Sequence, residues 1–166
     1  MNQYTDRLSI LITDLFEVSK ANSGNIDLEY SDINIIEFME QVCAKNEELL
    51  QAKNLQLVTN LPEKEIHVCL DGNKTYRIFE NLFTNISKYA LENTRVFLDV
   101  KDIGNSVMII MKNTSKEPLD FDSDITERFV RGDKSRHEAG SGLGLAIVKS
   151  FTEVQNGTFM IETDGD

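Results

Sequence analysis

Tryptophan is absent from the 166 residues, and proline, histidine and cysteine occur twice each. Two cysteines, Cys43 and Cys69, fit neither a disulfide framework nor a four-ligand metal spacing, so both are expected to be reduced core residues. His67 shares one face of the strand-like EIHVCL with Cys69, but two ligands do not make a metal site. No apolar run approaches the roughly 18 residues of a membrane span. The N-terminal MNQYTDRLS lacks the charged-then-apolar order of a secretory signal. Basic residues are also scarce, 17 against 28 acidic ones for a net charge of −11, which opposes general binding to nucleic acid phosphates. Hydrophobic residues make up 40% of the chain and charged ones 27%, too apolar for disorder and enough for one domain core. These absences leave a soluble, intracellular chain as the expectation.

Patterning then orders the elements. Tyr4, Leu8, Leu11, Leu15 and Val18 follow a heptad spacing, a helix seam that suits a bundle or packing on the chain's own domain. The turn cluster Asn22-Ser23-Gly24-Asn25 ends it. The strand-like IDLEYS precedes a helix capped by Ser31 or Asp32 and running to about Ala52, with Ile33, Ile36, Met39 (or Glu40), Cys43 and Leu50 on its apolar side. NLQLVTNL and EIHVCLD read as strands, Gly72–Glu92 as a helix, and Thr94–Lys101 with Ser106–Met111 as a hairpin around Ile103-Gly104-Asn105. After a polar loop and a basic run come a helix from Gly142 to about Gln155 and a final strand GTFMIET. Strands mixed with helices in this order predict an α+β fold, a sheet covered by helices.

Two stretches carry chemistry. EAGSGLGLAIVK has glycines at 140, 142 and 144 opening a helix. Glycine permits close approach to the backbone, and free N–H groups at a helix start attract an anion, although a cap or a packing point uses glycine as well. Arg128, Arg131, Lys134 and Arg136 precede that turn and supply positive charge in an acidic chain. In RIFENLFTNISKYA, Asn81, Asn85 and Lys88 lie at i, i+4 and i+7 on one helical face. Carboxamide oxygens beside an ammonium suit a Mg²⁺-phosphate group, while a plain polar outer face gives the same spacing.

Together these stretches resemble the sensor histidine kinases of bacteria, in the GHKL ATP-binding superfamily. NLFTNISKYA is similar to their asparagine box, ITERFVRGDKSR to the phenylalanine box and the start of the ATP lid, and GSGLGLAIVKS to the second glycine box. DRLSILITDLFEVSKANSGNIDL resembles the end of the second dimerisation helix. The resemblance implies a two-layer α/β sandwich with an N-terminal helix stub: residues 1–25 as the end of the dimerisation helix with its linker, and 26–166 as the catalytic ATP-binding domain. It further implies ATP and Mg²⁺ as ligands. Asn85 would supply the main oxygen to the metal with Asn81 in support, Lys88 would reach the phosphates, and Tyr89 would pack near the nucleotide. Arg131 would serve the γ-phosphate with Lys134 and Arg136 as helpers, and Gly140, Ser141, Gly142, Leu143, Gly144 and Leu145 would close over the triphosphate. The implied reaction is transfer to a histidine, since hydrolytic members place glutamate at the position of Asn81 and an asparagine there cannot activate water; Glu80 stays open as a polarising residue. Implied partners are the kinase's own dimerisation domain, in a homodimer, and a response regulator, with the parent protein anchored in the membrane through parts outside this chain.

Two departures qualify the resemblance. The first glycine box falls at NTSKE, so that Asn113 replaces the aspartate that holds the adenine amine, and Ser115 and Glu117 replace glycines. An asparagine can still accept from that amine and donate to the adjacent ring nitrogen. No phosphoacceptor motif is present, neither His67 nor His137 suits that role, and the chain stops at ETDGD before a last strand the family has. The expectation is therefore a catalytic fragment; a degenerate nucleotide-sensing or dimerisation module with weak or no ATP binding is the alternative that NTSKE keeps open.

Overall fold

A computed structural model describes residues 3–117 and 143–164, which group into two compact units. One unit carries α1 (Gln3–Asn22) and α4 (Gly144–Val154). The other carries five strands, β1 (Tyr30–Asn34), β2 (Gln56–Asn60), β3 (His67–Asp71), β4 (Arg95–Asp102) and β5 (Val107–Lys112), together with α2 (Ile35–Gln51) and α3 (Gly72–Tyr89).

In the first unit, Asp6 in the first turn of α1 and Lys20 in the last complement the helix dipole. The helix closes where Asn25 N–H donates to Lys20 O and Gly24 N–H to Ala21 O, with Gly24 at φ +76. That paired closure needs a left-handed residue, which glycine supplies without a Cβ clash. α1 packs on α4, with Asp14 and Val18 buried on one helix and Leu145, Ile147, Val148 and Phe151 on the other. Ser150 Oγ donates to Asn22 Oδ1 at 3.0 Å. The heptad seam expected on α1 is only partly covered: Val18 is buried and Leu11 half-buried, but Tyr4, Leu8 and Leu15 are exposed. The packed side turns instead through Leu11, Asp14, Val18 and Ala21.

In the second unit, β2 runs parallel to β4 and β4 antiparallel to β5, giving a three-stranded mixed sheet in the order β2-β4-β5. Val96, Leu98 and Val100 alternate with outward residues and face the core, as period-two patterning requires. The hairpin turns as expected, with Gly104 at φ +100 and its N–H donating to Asp102 Oδ1. β1 and β3 form a separate antiparallel pair, Ile33 opposite Val68. Ile35, Met39, Val42 and Leu50 of α2 and Phe79, Phe83 and Ile86 of α3 complete one core with Val96 and Leu98.

Three expectations need correction. Ser31 and Asp32 do not cap α2; they lie within β1, held extended by their pairing with Leu70 and Cys69, and the cap is Asn34, whose side chain accepts from Ile36 N–H at 3.3 Å. Cys69 is exposed, because the parity of β3 turns Val68 and Leu70 inward, whereas Cys43 is buried and desolvation pushes its thiol up to about 11. The segment GTFMIET is no strand: Phe159 and Ile161 are half-buried between exposed Met160 and Glu162, but no ladder joins them to a described strand. Alternating side chains do not make a strand without a backbone partner. Among the described residues no helix is long and apolar enough to cross a membrane.

Candidate functional site

The candidate face lies on α3, and the start of that helix is fixed by a residue that the sequence reading passed over. Asp71 is buried; its Oδ1 accepts from Lys74 N–H and its Oδ2 from Glu29 N–H, both at 2.9 Å. One carboxylate thus caps α3 and ties it to the chain entering β1. The signal was available, since aspartate directly before a helical run is a favoured N-cap.

From that cap the helix presents its apolar residues inward, with Thr75, Ile78, Phe79, Phe83 and Ile86 buried. Asn81, Asn85, Lys88 and Tyr89 are half-buried along the flank. Asn81 Nδ2 donates back to Arg77 O at 2.7 Å, which occupies one of its two amide N–H donors and leaves its oxygen to accept. Asn85 differs: among the described residues no hydrogen bond engages its carboxamide. A half-buried amide without an internal partner can meet a ligand without first breaking an internal bond. Glu80 is paired with Arg77 Nη1 at 3.1 Å and is therefore not an isolated base.

The far end of α3 is joined to the segment after β5. Leu91 N–H donates to Thr114 O at 2.7 Å and Lys116 N–H to Tyr89 O at 2.9 Å, with Ala90 and Ser115 paired antiparallel between them. Asn113, half-buried, follows β5 directly and precedes this bridge. The structure thus brings Asn81, Asn85, Lys88, Tyr89 and Asn113 into one unit.

Of the other candidates, Leu143, Gly144 and Leu145 stand at the start of α4, where Leu143 O accepts from Ile147 N–H and Leu145 is buried. Arg128, Arg131, Lys134, Arg136, Gly140, Ser141 and Gly142 lie outside the described residues. No group of three or more His, Cys, Asp or Glu side chains converges as a metal site among the described residues.

Residues 70–165 match the family model described as histidine kinase-, DNA gyrase B-, and HSP90-like ATPase. Sensor protein kinase WalK of Staphylococcus aureus is 34% identical over 160 residues, covering 92% of this chain and 38% of that protein; in strain JH9 the covered share is 26%. The chain thus spans well under half the length of these relatives. Among solved structures, histidine kinase AdeS of Acinetobacter baumannii superposes with a TM-score of 0.77 at 17% identity, over 97% of this chain and 74% of that one. Full-length ShkA in complex with AMPPNP gives 0.75 at 23%, over 91% and 32%. ThkA in complex with response regulator protein TrrA gives 0.67 at 21%, over 92% and 43%. At these identities the likeness concerns the fold.

Proposed function

Because the chain belongs to the histidine kinase-, DNA gyrase B- and HSP90-like ATPase family, we propose that it is the ATP-binding catalytic domain of a sensor histidine kinase. It transfers the γ-phosphoryl group of ATP to a histidine on a dimerisation domain outside residues 26–166, for relay to an aspartate of a response regulator. The observation that carries this reading is the α3 flank, where Asn85, without a hydrogen-bond partner among the described residues, follows Asn81 by one turn and Lys88 comes one turn later.

Carboxamide oxygens suit a hard divalent cation, so Asn85 holds Mg²⁺ with Asn81 in support. The bound ion would offset the negative charge of the phosphates. Lys88, in the last turn of α3, places a cation at the negative end of the helix dipole and reaches toward the phosphates. Tyr89 packs by the base and Asn113 reads its edge. Arg131 and Lys134 serve the γ-phosphate, and Gly140, Ser141, Gly142, Leu143, Gly144 and Leu145 bind the triphosphate. Asparagine at position 81 gives no general base for water, and Glu80 is held by Arg77. A neutral imidazole acceptor needs no such base because its ring nitrogen already carries a lone pair.

The dimerisation stub is α1, whose exposed apolar residues pair with a second copy in the parent homodimer. A response regulator as partner is supported by the solved complex of ThkA with TrrA. The parent protein is anchored in the membrane, with this chain on the cytoplasmic side.

Titration calorimetry with ADP or a non-hydrolysable ATP analogue tests the reading. Binding should require Mg²⁺ and weaken by about tenfold or more in Asn85→Ala, as expected for losing one bond to a charged partner. No binding by the folded, unmutated chain would remove the proposal. Labelled ATP should also label a separately supplied dimerisation domain, and absence of that label would leave nucleotide binding without kinase activity.

A further inference from the structure

Position 113 has its main chain fixed, while its side chain has no hydrogen-bond partner among the described residues. Lys112 closes the β5 ladder opposite Phe97, and the bridge of Thr114–Lys116 to Tyr89–Leu91 begins immediately afterwards. Between these anchors the Asn113 carboxamide is half-buried. No internal bond therefore selects which end of the amide, oxygen or NH₂, meets a ligand. Rotation by a half-turn about its last torsion exchanges acceptor for donor at little cost.

That freedom has a chemical consequence for a purine. Adenine presents a donor at its 6-amine and an acceptor at N1; hypoxanthine and guanine present the reverse, an acceptor at O6 and a donor at N1. A carboxylate only accepts, so in a fixed pose it matches the 6-amine and repels O6. A carboxamide matches either edge by rotating. Discrimination depends on the bond left unmade with the wrong ligand, and here neither edge leaves one.

We propose that Asn113 makes the base site permissive, so that the chain accepts 6-oxopurine nucleotides as well as adenine nucleotides. This inference rests on the nucleotide site proposed above and on Asn113 reading the base edge. It concerns selectivity alone, because phosphate and metal contacts lie on other residues.

The test is titration calorimetry with Mg²⁺ and two probes, ADP and inosine diphosphate, which differ only at that edge. In the unmutated chain the two dissociation constants should agree within about tenfold, and in Asn113→Asp the ratio should move toward ADP by about tenfold or more. Asn113→Ala should weaken both probes without separating them, and melting curves establish that each variant is folded. Binding of ADP with inosine diphosphate more than about tenfold weaker in the unmutated chain, or an unchanged ratio in Asn113→Asp, overturns the inference and leaves the proposed function standing. Failure of both nucleotides to bind overturns both.

Discussion

His67 stands between two carboxylates on the outward face of β3. Its Nε2 meets Glu65 Oε2 at 3.3 Å and its Nδ1 meets Asp32 Oδ2 at 3.1 Å, across to β1. Only the doubly protonated ring can donate to both, so the hydrogen bond to Glu65 and then the charge of Asp32 raise its pKa above the ordinary value. A group whose folded pKa is raised contributes stability that is fully present below its unfolded pKa, and that contribution fades as pH rises through the folded value. All three groups are exposed, so screening keeps the effect small, and the informative measurement is a titration of the ring by NMR. Glu65→Gln and Asp32→Asn should each lower the His67 pKa. A pKa unmoved by either change would show that the carboxylates do not hold the ring in solution. The same strand parity that exposes His67 exposes Cys69, which is why a cysteine expected in the core stands outside it.

Helix ends share one device in this chain. α1, α2 and α4 each close with a left-handed residue, Gly24, Asn54 and Asn156, at φ +76, +52 and +63. After α2, Leu55 N–H donates to Leu50 O and Asn54 N–H to Gln51 O, with Leu50 and Leu55 both buried. After α4, Gly157 N–H donates to Thr152 O, and a Cβ at Gly157 would come within 2.9 Å of Thr152 Cγ2. Asparagine tolerates the left-handed region better than residues that cannot bond locally, and glycine is freer still. Asn54→Ala should therefore cost about 1 kcal/mol in denaturant melts, while Asn54→Gly should cost nothing or stabilise slightly. Equal losses in the two variants would assign the effect to the asparagine side chain rather than to backbone conformation. The elements themselves were legible, because periods of 3.6 and 2 mark α3, β4 and β5 directly. Their boundaries were less so: nothing local distinguishes Ser31 or Asp32 from Asn34 as a cap until pairing with β3 holds the first two extended. GTFMIET has the composition of a strand, but its ladder depends on a partner that composition does not supply.

At the scale of the whole molecule, the candidate site was legible where one helix carries it. Asn81, Asn85 and Lys88 needed only the helical period to share a flank. The bridge that fixes Asn113 joins segments far apart in sequence, so no local pattern announces it. The exposed side of α1 carries the remaining argument. Tyr4, Leu8, Ile10, Ile12, Leu15 and Phe16 are each more than half exposed, and Leu8, Ile12 and Leu15 recur on one helical face. Apolar surface of this kind is costly in water, and a second copy of the helix is the occupant that the proposed function assigns. Two heptads make a weak seam, so the 166-residue chain should exchange between monomer and dimer as concentration rises in sedimentation velocity. Each leucine buried in such a seam contributes about 1.5–3 kcal/mol, so Leu8→Glu with Leu15→Glu should weaken association by more than about tenfold. Nucleotide affinity should be unchanged by the same pair, because Leu8 and Leu15 are exposed on α1 and neither is among the residues proposed to hold the nucleotide. A chain that stays monomeric at every concentration would count against α1 as a pairing helix. Loss of nucleotide binding in the double variant would show that the substitutions disturb the packing of α1 on α4.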